Sequence, residues 1–243
     1  MPYKAIIIGA TSGIGLETAR LLWKEGAVVG VAGRRTDRLR AFCDECGARA
    51  KYRTIDITDN NAGHELSMLI NEIGGADLIL FCSGIGSQNP DLVAETELKT
   101  VETNAVGFTR IIDEAFNYFK QKGSGHIAAI TSIAGTKGLG IAASYSATKR
   151  YQSTYMQCLA QLSHMQGHNI RFTDIRPGFV DTDLLRNGRF PLKMRTEYVA
   201  RLIVKAIKRQ KRVTIIDWKY KIIVAIWKII PRVIWEKLSI KTK

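Results

Sequence analysis

Short apolar runs alternate with helical stretches along most of the chain, and that alternation decides what it can fold into. Residues 4–8, 27–32, 50–54, 77–81, 125–131, 169–175 and 213–216 read as strands. Residues 16–24, 36–46, 60–73, 101–120, 143–165 and 196–210 carry helical periodicity, and 90–98 is a turn and helix start. A strand that returns parallel to its neighbour needs a crossover of this length, usually a helix. The expectation is therefore α/β: one doubly wound parallel sheet of about seven strands with helices on both faces. The 243 residues suit one domain with a sizeable core.

Sheets of this kind bind ligands beyond the carboxyl ends of their strands, and the unusual residues of this chain fall there. The first strand runs into Gly9-Ala-Thr-Ser-Gly13-Ile14-Gly15 and then a helix. Glycines let backbone approach a pyrophosphate, and the helix N-terminus favours its negative charge. Thr11 and Ser12 add hydroxyls. That context separates the turn from a chance cluster of glycines and points to a Rossmann-like dinucleotide site. After the second strand come Gly33, Arg34 and Arg35, with no Asp or Glu. An acidic residue there accepts from the 2′-hydroxyl of NAD, whereas arginine accommodates the 2′-phosphate of NADP. The reading is NADP(H) preferred over NAD(H); two solvated arginines at a helix start are the plainer alternative.

The fifth strand leads into Ser132, and the following helix carries Tyr145 and Lys149 four residues apart, on one face. A buried ammonium beside a phenol should favour the phenolate and lower the phenol's pKa. That makes Tyr145 a proton donor and acceptor usable near neutral pH. Ser132 stands where its hydroxyl can hold a substrate oxygen. An exposed Tyr and a solvated Lys are the alternative for so short a motif.

Together these residues resemble the short-chain dehydrogenase/reductase family over residues 4–216. The family's Thr-Gly-x-x-x-Gly-x-Gly turn has Ile8 in place of its Thr. Its Asn-Ala-Gly after the fourth strand is Cys82-Ser83-Gly84, which loses an Asn that helps fix the central sheet. The catalytic set corresponds to Asn104, Ser132, Tyr145 and Lys149, with the usual Ser-to-Tyr spacing. The resemblance implies an oxidoreductase that moves hydride between a nicotinamide and a carbonyl or secondary alcohol. Asp56 would bond the adenine amino group, with the Ile57 backbone beside it. Ser83 and Gly84 would line the adenosine ribose, and Pro177, Gly178, Val180 and Thr182 would meet the nicotinamide carboxamide. Tyr145 would be the general acid or base, and Lys149 would bind the nicotinamide ribose and depress the Tyr145 pKa. Ser132 would orient the carbonyl, and Asn104 would position a water linking Lys149 to solvent. Relatives form dimers or tetramers through helices corresponding to 101–120 and 143–165, so a homo-oligomer is expected.

The charge is uneven. Residues 208–243 hold eleven basic and two acidic residues, +9 of the chain's +14, and three of its four tryptophans. The chain is read as a dinucleotide-binding catalytic domain, 1–217, and a basic helical extension, 218–243. Residues 219–230 read as a helix that Pro231 kinks or ends. Lys221, Lys228 and Arg232 share one face; Trp218, Ile222, Ala225, Ile226 and Ile229 share another. This is the composition of an interfacial helix on an anionic membrane surface, and equally of one packed on its own sheet or a partner subunit. A membrane beside the site mouth would suit a lipophilic carbonyl such as a long-chain keto lipid or steroid. Residues 183–195 interleave Leu184, Leu185, Phe190, Leu192 and Met194 with Arg186, Arg189, Lys193 and Arg195. An apolar pocket with a basic rim would also suit a 3-oxoacyl thioester.

Residues 1–10 enter a strand with neither a basic leader nor a cleavage site, and no run of 18 apolar residues occurs. With four cysteines and no secretory signal, a cytoplasmic location is expected, peripheral on a membrane's inner face if the tail binds there. Cys43 and Cys46 lack a second pair at zinc spacing, so no metal is expected. No nucleic-acid motif accompanies the basic charge, so no nucleic-acid partner is expected. A non-catalytic dinucleotide-binding scaffold is the alternative of another class, but it would be expected to have lost Tyr145 or Lys149.

Overall fold

The computed structural model describes residues 2–185 and 190–240. Seven strands form one wholly parallel sheet: β1 Lys4–Ile8, β2 Val28–Gly33, β3 Ala50–Thr54, β4 Leu78–Phe81, β5 Ser124–Ile130, β6 Asn169–Pro177 and β7 Val213–Ile216. Their order is β3-β2-β1-β4-β5-β6-β7. The central strands are apolar on both faces because both are covered. Ile6 and Ile8 point into one core and Ile7 into the other, all fully buried.

The first core lies under α1 (Gly13–Lys24), α2 (Thr36–Cys46), α7 (Thr196–Lys208) and the tail helix α8 (Trp218–Ile229). The second lies under α3 (Ala62–Glu72), α5 (Phe108–Lys122) and α6 (Ala143–Met165). Chain order reverses between β1 and β4, which opens a crevice at their carboxyl ends.

One helix departs from the sequence reading, and the tail shows a further turn beyond Pro231. The expected helix over 101–120 begins earlier, as α4 (Ala94–Val101), and passes through a π-helical stretch, Glu102–Gly107, before α5. Periodicity cannot register a π turn, because it adds one residue without changing which residues are apolar. The tail helix ends at Ile229, and Pro231 begins a further short helix, α9 (Arg232–Trp235). No helix among the described residues is long and apolar enough to cross a membrane.

The tail's orientation is the less expected result. Tyr220, Val224 and Trp235 are buried, and Ile223 and Trp227 pack partly against the first core. The stripe read from the sequence as one apolar face, Trp218, Ile222, Ile226 and Ile229, is instead exposed. α8 is apolar nearly all round, so its pattern could not say which side faces inward.

Candidate active site

A cleft of about 560 Å³ opens over the carboxyl ends of β1, β4, β5 and β6. Its floor is the turn after β1. Gly9 and Gly13 hold positive φ angles, +93° and +56°. A Cβ on Gly9 would lie 2.6 Å from the Ser83 amide nitrogen, and one on Gly15 would strike the Gly9 carbonyl. Backbone therefore lines this floor closely, as a phosphate cradle requires. No side chain caps α1, so its first amides remain available to an anion. The Ser12 hydroxyl instead accepts from Arg35 Nη2 at 2.7 Å, and the same nitrogen donates to Thr11 Oγ1 at 2.7 Å.

Arg34 and Arg35 stand at the mouth beyond β2. Arg34 lies 3.8 Å from Asp56, and Arg35 lies 3.6 Å from Asp183. Asp56 Oδ1 accepts from the Thr58 amide and hydroxyl at 3.1 and 2.8 Å. Burial pushes the Asp56 carboxyl up, but these bonds and Arg34 outweigh it and hold it below the usual range. Ile57, Ser83 and Gly84 complete this side. Pro177, Gly178, Val180 and Thr182 line the opposite side, beyond β6.

Ser132 follows β5 and starts a short 3-10 turn, its Oγ accepting from the Ala134 amide at 3.1 Å. Tyr145 and Lys149, one turn apart on α6, both reach the cleft, and Lys149 Nζ lies 5.8 Å from the centroid of the Tyr145 ring. The ammonium donates to the Ile130 carbonyl at 3.1 Å and to Gln152 Oε1 at 3.0 Å. Burial lowers its pKa to about 8; Cys82 and Asp174 act the other way. The expected depression of the phenol is overturned. Burial raises the Tyr145 pKa, and only its hydrogen bond with Ser132 opposes that. The ammonium lies over the ring rather than at the hydroxyl, and it donates to the Ile130 carbonyl and the Gln152 amide.

The cleft thus brings together every residue read from the sequence as cofactor-binding or catalytic except Asn104. Asn104 is fully buried behind the wall. Its side chain brackets Ile85, accepting from the amide at 2.9 Å and donating to the carbonyl at 2.7 Å, and reaches Thr148 Oγ1 at 3.3 Å. It holds the loop after β4, whose Gly84 and Ile85 line the cleft. Cys82, where the family carries Asn, presents a thiol whose pKa burial pushes up.

Several lining residues escaped the sequence reading. Leu139, Ile141, Phe179 and Trp227 join Phe190 as apolar lining of the cleft that Tyr145 reaches. Trp227 comes from the tail, which is anchored to both substrate-side loops. Tyr220 Oη donates to the Pro191 and Leu192 carbonyls at 3.2 and 3.1 Å, and its ring packs on Gly178. Trp235 Nε1 donates to the Gly138 carbonyl at 2.7 Å, and Lys137 Nζ to the Ile230 carbonyl at 2.6 Å. Only a fold could bring Trp227 beside residue 139; nothing local marks it. Of the expected basic rim, the described residues Lys193 and Arg195 do not line the cleft. Lys193 pairs with Asp181 at 2.9 Å and Arg195 with Glu197 at 3.6 Å, while Arg186 and Arg189 lie outside the described residues. Among those residues no group of three or more His, Cys, Asp or Glu is placed to hold a metal ion.

Comparison with known proteins agrees with this geometry. Residues 3–190 match the short chain dehydrogenase family. An uncharacterized oxidoreductase of Myxococcus xanthus is 30% identical over 245 residues, covering 97% of this chain and 96% of that protein. Another, from Mycobacterium tuberculosis, is 29% identical over 227 residues, 88% of each chain. Among solved structures, a variant of actinorhodin polyketide ketoreductase with NADPH superposes with a TM-score of 0.77 at 25% identity, over 88% of this chain and 95% of that one.

Proposed function

The chain belongs to the short-chain dehydrogenase family, oxidoreductases acting on carbonyls and alcohols with a nicotinamide cofactor, and from that premise we propose that it is an NADPH-dependent reductase of a lipophilic ketone. The observation that carries the reading is the set of apolar side chains Leu139, Ile141, Phe179, Phe190 and Trp227 that lines the same cleft as Tyr145. Such a lining favours an apolar body and leaves the polar end of the substrate to Tyr145 and Ser132. The glycine turn fits a pyrophosphate, and Arg34 and Arg35 fit a 2′-phosphate. When bound, the nicotinamide supplies the hydride received by the carbonyl carbon. Ser132 holds the carbonyl oxygen. Tyr145, kept protonated by its burial, donates its phenolic proton to that oxygen as negative charge develops there. Lys149 keeps a positive charge beside the phenolate left behind.

A 3-oxoacyl thioester remains the second reading, favoured by the basic residues of 183–195; the pairing of Lys193 and Arg195 with acids counts for the neutral lipophilic substrate. We also place a homo-oligomer contact on α4, α6 and the π turn between α4 and α5, where Leu98, Val101, Val106 and Tyr151 are exposed. Light scattering of the purified chain reads it.

The test is a panel of long-chain ketones, steroids and 3-keto thioesters with NADPH and NADH, following nicotinamide absorbance. Lipophilic ketones should turn over fastest, with NADPH preferred, and Tyr145→Phe should lower turnover about 10²-fold or more. No turnover on any carbonyl, or an unchanged Tyr145→Phe variant, would overturn the assignment.

A further inference from the structure

One buried polar side chain has no part in the reaction just described. Gln152 lies one turn beyond Lys149 on α6 and is fully buried. A side-chain amide offers one acceptor oxygen and a donor nitrogen, and the fold uses both ends. Gln152 Oε1 accepts from Lys149 Nζ at 3.0 Å, and Nε2 donates to the Asn104 backbone carbonyl at 2.8 Å. Asn104 sits in the π-helical stretch Glu102–Gly107. In that wider turn the regular i→i−4 bonding is displaced, and the Asn104 carbonyl meets a donor from another helix. The Gln152 amide thus spans the gap between Lys149 and the Asn104 carbonyl.

An ammonium has three protons to donate. Two are committed, to the Ile130 carbonyl and to Gln152. The geometry leaves the third for the cleft that Lys149 lines. The charged and titratable groups around Lys149 are few: Tyr145 on its own helix, Cys82 after β4, and Asp174 on β6, which is paired with Arg176 at 2.6 Å. Cys82 is a thiol kept neutral by burial, and Asp174 already has its cation. A neutral amide is therefore the nearest side-chain acceptor that stabilises the charged form of Lys149.

We propose that Gln152 is a positioning residue: its amide ties Lys149 to the Asn104 carbonyl, holding the ammonium charged and aimed into the cleft. The proposal deepens the reductase assignment and rests on it for the role of Lys149. The bridge itself is a property of the chain without cofactor, so it can be measured separately.

The experiment titrates Lys149 by NMR in cofactor-free protein labelled with ¹³C at lysine Cε, the signal assigned with Lys149→Met. Gln152→Met keeps the length and removes the acceptor, so the Lys149 pKa should fall by roughly half a unit or more. Gln152→Glu places an anion against the ammonium, so the pKa should rise by about one unit or more. The alkaline limb of carbonyl reduction should move in the same two directions. Glutamate also loses the donor to Asn104, so thermal melts check that each variant folds; if only Gln152→Met folds, its fall alone decides. Opposite shifts, or that fall, support the bridge. A Lys149 pKa unmoved by either folded variant, or moved the same way by both, overturns it. A wild-type chain inert on every carbonyl would instead overturn the reductase assignment and leave the titration to judge the bridge.

Discussion

Titration of single buried groups separates what the site does from what the fold needs. Tyr145 and Lys149 were legible in the sequence as a pair, because four residues on a helix is one turn. Their electrostatics were not, because the direction of the ammonium depends on a carbonyl of β5 and an amide one turn further along. Gln152 carried a local signal, three residues past Lys149 on the same face, but its second partner is 48 residues away in sequence. Away from the cleft, His126 on β5 is buried, with Nε2 2.8 Å from Thr173 Oγ1. Burial, with Arg171 nearby, lowers its pKa from 6.5 to about 4. Above pH 6.5 the ring is neutral in both folded and unfolded chains. As pH falls from 6.5 towards 4, only the unfolded chain takes up the proton, so stability is lost across that window and not below it. The loss attributable to His126 should be about 3 kcal/mol. Urea unfolding at pH 7 and pH 4.5 reads it: His126→Gln should flatten the difference, and an equal pH dependence in wild type and variant would remove His126 as its cause.

At the scale of elements, the strands and most helices followed from pattern alone. β1, β3, β7, α2 and α6 fall where the apolar runs and periodicity put them, because both faces of the sheet are buried and each helix shows it one stripe. The π turn and the inward side of α8 were not legible: one leaves the pattern unchanged, and the other is apolar on both sides. The junction of β6 with α8 shows how far the tail is built into the site. Gly178 bonds the Ile216 carbonyl at 3.0 Å through its amide, and a Cβ at that position would run into the Tyr220 ring. Tyr220 is 2% exposed and pinned to the Pro191 and Leu192 carbonyls, so it cannot swing aside freely. Gly178→Ala should therefore destabilise the chain by about 1–3 kcal/mol through overpacking. Because the strain belongs to a pair, Tyr220→Leu should recover part of it, and a double-mutant cycle in urea measures that coupling. Additive losses would show that the glycine is needed for some reason other than the ring.

For the whole molecule, the open question is what covers the outer face of the tail. Trp218, Ile222, Ile226, Ile229, Val233 and Ile234 are each more than half exposed and run along α8 and α9. Lys219, Lys221, Lys228 and Arg232 flank them. An apolar stripe bordered by lysines, with a tryptophan at one end, suits the boundary of an anionic bilayer, where lysine stems lie along the surface and their heads reach lipid phosphates. The inner face of the same helix supplies Trp227 to the cleft, so a tail resting on a membrane would bring the cleft wall close to a lipid-dissolved ketone. Removing residues 218–243 cannot test this cleanly: it would strip Tyr220, Val224 and Trp235 from the core and uncover Gly178. Trp218→Ser, Ile222→Ser and Ile226→Ser combined change only exposed positions. In sedimentation with vesicles containing phosphatidylserine, wild type should bind and the triple variant should bind at least about ten-fold more weakly, given roughly 1.5–3 kcal/mol for each large apolar side chain fully buried. Raising salt should weaken the wild type, since surface charge is screened. The variant should keep its turnover on a short, water-soluble ketone, because the cleft is untouched. Equal sedimentation of wild type and variant, or no preference for anionic over neutral vesicles, would remove the membrane and leave a second copy of the chain as the occupant to seek.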